Sequence, residues 1–411
     1  MSSPLSPDGT VVVVGASLAG LRAAEEVRHE GHSGPVVVIG EETRAPYDRP
    51  PLSKQVLSGK WDADRIRHHT PDAHDALDLE FHLGRRATGL DTGSRVVALD
   101  DGTELAYDGL VIATGAATRA LPGTMGMANV WMLRTLDDCL GIRADLAAAG
   151  DEPRLVVIGA GFIGSEVAAT CQGTGTRVTL LEAHHTPLAR VLGDEMGQMC
   201  ADLHRANGMD LRVSVTIDRL ESDPGGADPV TVVLDDGNRI PADVVVVGIG
   251  VSPSVTWLEG SGVELDNGVR CDGSLFAADG VVAAGDVANW TRPSTGRPVR
   301  VEHWTNAAEG GAASARNLLA GSAGANPYDP VPFFWSDQYA TKIQMIGLPH
   351  ADDEVVVVSG SGDEGKLVAL YRSGDRLGAV LTFSQPAKLM GYRPLLAAGA
   401  SFDEALAQAR A

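Results

Sequence analysis

Residues 11–41 read VVVVGASLAGLRAAEEVRHEGHSGPVVVIGE, and the fold follows from them. Four β-branched residues, Val11 to Val14, run directly into Gly15. A short apolar run stopped by glycine suits a strand buried on both faces, as in a parallel sheet. The segment G-A-S-L-A-G comes next, then a helical pattern over Leu21 to Arg28, then an apolar strand, Val36–Ile39, closed by Gly40 and Glu41. This order predicts a βαβ unit. Gly15 permits the tight turn and Gly20 lets helix and strand approach closely. The helix N-terminus presents N–H groups and the positive end of its dipole to a pyrophosphate. Glu41 is placed to accept hydrogen bonds from a ribose. Ser17 stands where a complete motif has its middle glycine, and a lone G-x-x-x-x-G also occurs in sheets that bind nothing.

The same plan recurs further along. LVVIGAGFIG (155–164) repeats VVVVGASLAG (11–20), and VVLDDGNRIPADVVVVGIG (232–250) repeats VALDDGTELAYDGLVIATG (97–115). Two features in the same order at nearly the same separation indicate an internal duplication. Each copy reads as βαβ, a β-hairpin insertion, and a last strand ending in glycine. The second copy is complete: the strand Leu155–Ile158, then Gly159-Ala160-Gly161-Phe162-Ile163-Gly164, a helix over Ser165–Gln172, the strand Arg177–Leu181, and Glu182. Glu182 follows Gly159 at close to the ~20 residues of a dinucleotide fingerprint. Its carboxylate suits the two ribose hydroxyls of NAD and repels a 2′-phosphate. The next arginine, Arg190, comes too late to clamp such a phosphate, so NADH is expected over NADPH; His184 and His185 qualify this.

At 411 residues the chain is long enough for two or three domains. Its net charge of −21 argues against nucleic-acid binding, which needs clustered Lys and Arg. The N-terminus MSSPLSPDGT has no apolar signal core, and the longest apolar runs, such as Val244–Val251, fall far short of the ~20 residues that cross a bilayer. A cytoplasmic protein without membrane contact is expected. Cys139, Cys171, Cys200 and Cys271 have no disulfide or metal spacing, so buried single thiols and no metal site are expected.

Between and beyond the copies lie other candidates. The loop ETRAPYDRPPLSKQ, stiffened by Pro50-Pro51, carries Arg49 and Lys54 and suits contact with an anionic group. VVAAGDVANW (281–290) runs a strand into Gly285-Asp286, where the aspartate caps a turn or reaches a ligand. RVEHWTNAAEGGAASARNLL (300–319) predicts a loop and then a helix with a face of small residues. From Asn326 short strands (FFWSDQ, KIQMIG, EVVVVSG, KLVALYR, RLGAVLTF) give way to a capping box, Ser401-Phe402-Asp403-Glu404, and a final helix. The expected fold is α/β: two Rossmann-like dinucleotide-binding domains plus a small α+β domain at 326–411.

APYDRPPLSK (45–54), ATGA (113–116), WMLRTLDD (131–138), GAGFIGSEVAA (159–169), AGDVA (284–288), EHWTNA (302–307) and FFWSDQ (333–338) occur in order over nearly the whole chain. Together they resemble the FAD-dependent NADH:ferredoxin reductases that feed oxygenases, which have a glutathione-reductase-like architecture. The resemblance implies an FAD domain at 1–118 with 251–325 interrupted by an NAD domain at 119–250, with Gly15, Ala19 and Gly20 of the first copy at the FAD pyrophosphate and Glu41 at the adenosine ribose. Ala87 would lie near the adenine. Arg49, Lys54, Thr114, Arg134, Asp286 and Trp304 would contact other parts of FAD. It implies NADH on Gly159, Gly161, Phe162, Ile163, Gly164, Glu182 and Gly250, with Glu166 at the nicotinamide end.

The chemistry so implied is hydride transfer from NADH to FAD and release of single electrons to an iron–sulfur ferredoxin. No protein nucleophile or acid/base residue is expected. Lys54 is expected to tune the flavin, and Glu166, one helical turn past Phe162, to pair with Lys54 and orient the carboxamide. The absence of a cysteine pair argues against disulfide reduction. Arg292, Arg297 and Arg300, with Lys388 and Arg393, would offer an acidic ferredoxin a basic docking patch on an acidic protein. Two alternatives stay open: a reductase of rubredoxin or a small quinone-like acceptor, and a redox-sensing protein in which NAD and flavin form a long-lived complex.

Overall fold

The computed structural model describes residues 3–222, 229–350, 352–362 and 365–410. The chain divides into two compact units, one of residues 1–48, 66–117 and 252–332, the other of 49–65, 118–251 and 333–411.

In the first unit Val11–Val14 pairs in parallel with Val36–Gly40 on one side and Gly109–Ile112 on the other. All four valines are at most 3% exposed, which accounts for an unbroken apolar run where a sheet with one face in water would alternate. Glu80–Leu83 and Val281–Ala283 extend the sheet to either side, and Phe276–Ala278 pairs antiparallel at the far edge. The helix Leu18–His29 covers one face and packs on the helix Trp304–Gly324. That contact depends on small residues: a Cβ on Gly311 would sit 2.3 Å from the Ala19 carbonyl.

The second unit repeats this order. Arg154–Ile158 lies between Arg177–Leu181 and Val244–Val247, flanked by Asp210–Arg212 and Val130–Trp131. The registers match: Val11 faces Gly109 where Leu155 faces Val244. The position filled by Val281–Ala283 in the first sheet, from downstream of the second copy, is filled by Val130–Trp131 in the second, from upstream of it. Each hairpin insertion has a third strand. Ala87–Asp91, Val96–Leu99 and Glu104–Ala106 form one antiparallel sheet, and Ile217–Glu221, Val230–Leu234 and Arg239–Ala242 the other.

Both glycine-motif helices begin three residues before the first residue expected, at Leu18 and Phe162. A first helical turn needs no partner four residues back, so glycines within it do not break the helix, and the apolar period hides it. Residues 333–383 form a five-stranded antiparallel sheet in the order Phe333–Gln338, Thr341–Gly347, Arg376–Phe383, Lys366–Ser373, Glu354–Ser361. Its buried face packs on Leu192, Met196 and Cys200 of Ala189–Ala206, two helical segments that meet at a break at Gly193, φ +77°. Two helices close the chain, Pro386–Ala398 and Phe402–Ala409, the latter opened by the expected Ser401–Glu404 capping box. No helix among the described residues is long and apolar enough to cross a membrane.

Candidate functional site

The two glycine-rich turns are built alike. In the first, Gly15 has φ +121°, and a Cβ there would lie 2.1 Å from the Ala113 carbonyl; on Gly20 it would lie 1.8 Å from the Gly15 carbonyl. In the second, Gly159 has φ +101° with a Cβ 2.4 Å from the Gly248 carbonyl, and a Cβ on Gly164 would lie 2.0 Å from the Gly159 carbonyl. These four glycines are required by the chain's own packing. Gly161 is different: a Cβ there would meet nothing within 4 Å. Nothing in the described chain requires its bare backbone, which leaves room for a group from outside.

The first intrahelical bonds are Leu21 N–H to Ser17 O and Ser165 N–H to Gly161 O. The N–H groups of Leu18, Ala19 and Gly20, and of Phe162, Ile163 and Gly164, therefore precede the helical ladder. Neither helix has an acidic residue in its first turn, so no carboxylate of the helix occupies the positive end of the dipole. Both turns fit a dinucleotide pyrophosphate.

Within the first unit, several expected residues converge. Thr114 adjoins Ala113, against which Gly15 packs, and its hydroxyl donates to Ser254 O at 2.8 Å. Gly285, at φ +75°, would bring a Cβ within 2.9 Å of Ala19 Cβ, which sets Asp286 beside the first turn. Glu41 is exposed, directly after Gly40, whose own Cβ would meet Ala16. Ala87 is buried two residues beyond Arg85, whose N–H bonds Gly40 O. Trp304 Nε1 donates to Asp48 Oδ1 at 2.7 Å. Arg292 pairs with Asp329 at 2.7 Å and Arg300 with Glu302 at 2.5 Å, while Arg297 is exposed.

Arg49, Lys54 and Arg134 belong to the second unit, with the other glycine motif. Arg49 donates to Arg134 O at 2.6 Å. Lys54 Nζ lies 2.5 Å from Glu166 Oε2, and both side chains are almost wholly buried. Ser53 also donates to Glu166 Oε2, at 2.5 Å, and Ser336 to Glu166 Oε1, at 2.8 Å. Three donors thus meet the two oxygens of a carboxylate that is sheltered from water. The Phe162 ring, one turn earlier on the helix, lies 4.5 Å from that of Phe334. The pairing of Phe334 with Phe162 and of Ser336 with Glu166 follows from geometry: two residues along a strand span about 6.8 Å, and four residues along a helix about 6 Å.

At the other end of the motif, Glu182 Oε2 accepts the Ala160 N–H at 2.7 Å and Oε1 the His184 N–H at 2.9 Å. Ile163 is exposed, as is Gly250, at φ +100°. Gly248 is the residue of that strand end that packs on the turn. Its place two residues before Gly250 gave no separate signal. Ser53 and Ser336 likewise carry no signal in the sequence, since a serine does not reveal a partner far along the chain. All four cysteines are buried and unpaired, and burial pushes each thiol up to about 12.

Residues 9–311 match the pyridine nucleotide-disulphide oxidoreductase family and residues 333–411 the reductase C-terminal family. The chain is 37% identical over 388 residues to putidaredoxin reductase of Pseudomonas putida, covering 93% of this chain and 90% of that one. It is 36% identical over 395 residues to the ferredoxin–NAD(+) reductase component of the anthranilate 1,2-dioxygenase system of Burkholderia cepacia, covering 95% of each. Among solved structures, the covalent putidaredoxin reductase–putidaredoxin complex is similar with a TM-score of 0.89 and 35% identity, over 95% of this chain and 93% of that one.

Proposed function

Because the chain belongs to the pyridine nucleotide-disulphide oxidoreductases, with a reductase-type C-terminal domain, we propose that it is an FAD-dependent NADH:ferredoxin reductase that supplies an oxygenase. The observation that carries this reading is the pair of duplicated glycine turns, two dinucleotide cradles in one chain, with no exposed thiol beside them. A disulfide reductase needs a reactive cysteine pair. Four buried thiols held protonated serve packing instead.

FAD, when bound, supplies the conversion of a two-electron donor into two one-electron deliveries. The chain's own residues bind and orient. Gly15, Ala19, Gly20, Glu41, Ala87, Thr114, Asp286 and Trp304 are assigned to FAD. Gly159, Gly161, Ile163, Gly164, Glu182 and Gly250 are assigned to NADH. Glu182, held by two backbone N–H groups, keeps lone pairs for ribose hydroxyls and opposes a 2′-phosphate. Glu166, with Lys54, is assigned to the nicotinamide end, and Phe162 to shielding that end. The acceptor is an acidic iron–sulfur protein that docks on the 292–300 segment. Arg297 is its main cation there, since Arg292 and Arg300 each already face a carboxylate. The reading assigns the enzyme to the cytoplasm, a compartment that supplies NADH.

The test is a screen of purified ferredoxins with the FAD-loaded protein and either NADH or NADPH, with cytochrome c as the final acceptor. Fast NADH- and ferredoxin-dependent turnover is expected. Equal turnover without ferredoxin would replace this reading with a small-acceptor reductase.

A further inference from the structure

Glu166 divides its two carboxylate oxygens between different parts of the second unit. Oε2 faces Lys54 and Ser53, and Oε1 accepts the Ser336 hydroxyl. Ser336 is wholly buried, on the same face of its strand as Phe334 and Gln338. Gln338 Nε2 donates to Ser336 Oγ at 3.3 Å, and its Oε1, also buried, has no hydrogen-bond partner among the described residues. A buried amide oxygen without a partner is costly, so the orientation needs a reason. The geometry gives one. A serine hydroxyl has a single proton. With the Gln338 N–H on its oxygen, that proton is directed to Glu166.

The next residue toward the turn makes a parallel contact. Tyr339, at φ +56°, donates its hydroxyl to His204 Nδ1 at 2.8 Å, and His204 Nε2 lies 3.2 Å from Ser165 Oγ. Ser165 Oγ in turn points to Ala160 O at 3.4 Å, which makes the ring its donor and sets the tautomer with the proton on Nε2. Residues 336–339 thus reach both Ser165 and Glu166, the two residues that follow the complete glycine motif.

We infer that Ser336, oriented by Gln338, is a positioning residue for Glu166: it fixes the carboxylate so that Oε2 stays on Lys54 at the nicotinamide end. The inference rests on the assignment of Glu166 to that end. Phe334 sets the distance between strand and helix through Phe162, and Ser336 sets the direction of the carboxylate.

The experiment compares Ser336→Thr with Ser336→Val, which share a volume and differ in the hydroxyl. Ser336→Ala guards against failure of both larger side chains to fit. In the FAD-loaded full chain, flavin bleaching by NADH is followed in single turnovers, normalised to bound FAD, with Glu166→Gln and the Ser336→Val/Glu166→Gln double variant alongside. The limiting rate is expected to fall about tenfold in Ser336→Val and Ser336→Ala, with the half-saturating NADH concentration nearly unchanged, because the rest of the dinucleotide is held elsewhere. Ser336→Thr recovers the rate, and Ser336→Val adds nothing once Glu166 is Gln. A wild-type rate in Ser336→Val beside an impaired Glu166→Gln overturns the positioning role alone. So does a loss in Ser336→Val that multiplies onto Glu166→Gln. A wild-type rate in Glu166→Gln overturns the nicotinamide assignment and the positioning role with it.

Discussion

The carboxylate of Glu182 accepts the backbone N–H of Ala160 at 2.7 Å, tying the end of one strand to the middle of the glycine turn that leaves its neighbour. On the proposed NADH assignment, the contact fixes the ribose-binding carboxylate relative to the helix start that would face the pyrophosphate. Glu182→Ala removes both the ribose acceptor and this tie. The ratio of kcat/KM for NADH to that for NADPH is expected to fall about tenfold or more, mostly through KM for NADH. An unchanged ratio would remove Glu182 from cofactor choice.

Gly161 and Gly164 separate binding from folding. Gly161→Ala places a methyl group where, beyond its chain neighbours, no atom of the described residues lies within 4 Å, so denaturant stability should stay near wild type while KM for NADH rises about tenfold. Gly164→Ala drives its methyl group to 2.0 Å from the Gly159 carbonyl and should cost on the order of 3 kcal/mol. Urea unfolding alongside NADH titration distinguishes the two.

Lys54→Met leaves Glu166 charged, buried and short of its counter-ion. Loss of one partner of such a pair costs about 3 kcal/mol or more, and the double variant Lys54→Met/Glu166→Gln should recover part of it. The pair is sheltered from solvent, so its contribution should hardly change between low and high salt, measured as unfolding midpoints at two ionic strengths.

His204 is fully buried, and burial pushes its pKa down from 6.5 to about 4. Below pH 6.5 the unfolded chain takes up a proton at this ring that the folded chain refuses until about pH 4. Stability is therefore complete above pH 6.5 and is lost as pH falls toward 4, by about 2 kcal/mol between pH 7 and pH 5 from this residue. In His204→Gln the decline over that interval should be shallower by this amount, read from urea unfolding at both pH values.

Arg297 is exposed, and its neighbours Arg292 and Arg300 are already matched by carboxylates. Arg297→Glu should raise KM for ferredoxin several-fold and flatten its rise with salt, leaving NADH-dependent reduction of ferricyanide unchanged. Salt-independent ferredoxin reduction in the unaltered protein would exclude a charged docking surface.

The parts legible in the sequence are those whose signal is local. Val11–Val14 and Leu155–Ile158 are buried on both faces and read as uninterrupted apolar runs, and Ser401 with Glu404 marks a helix start by its capping chemistry. The helix Pro386–Ala398 was not, because Gly391 and Pro394 interrupt its pattern. In FFWSDQ the alternation runs against hydrophobicity. Ser336 and Gln338 face inward with Phe334, while Phe333 and Trp335 are only half-buried. The polar residues can be buried because Glu166, far away in the chain, supplies an acceptor, and no local rule encodes that partner.

The different origin of the fifth strand in the two sheets sets an order on synthesis. Every strand of the second sheet lies between residues 130 and 247, so all of it has been synthesised before Val281–Ala283 exists. The first sheet, begun at Val11, must wait for that strand to join Gly109–Ile112. Closing so distant a contact is slow. The portion of the chain made first is thus the one completed later, and during translation its open edge at Gly109–Ile112 is where a nascent chain would need protection from pairing with a neighbour.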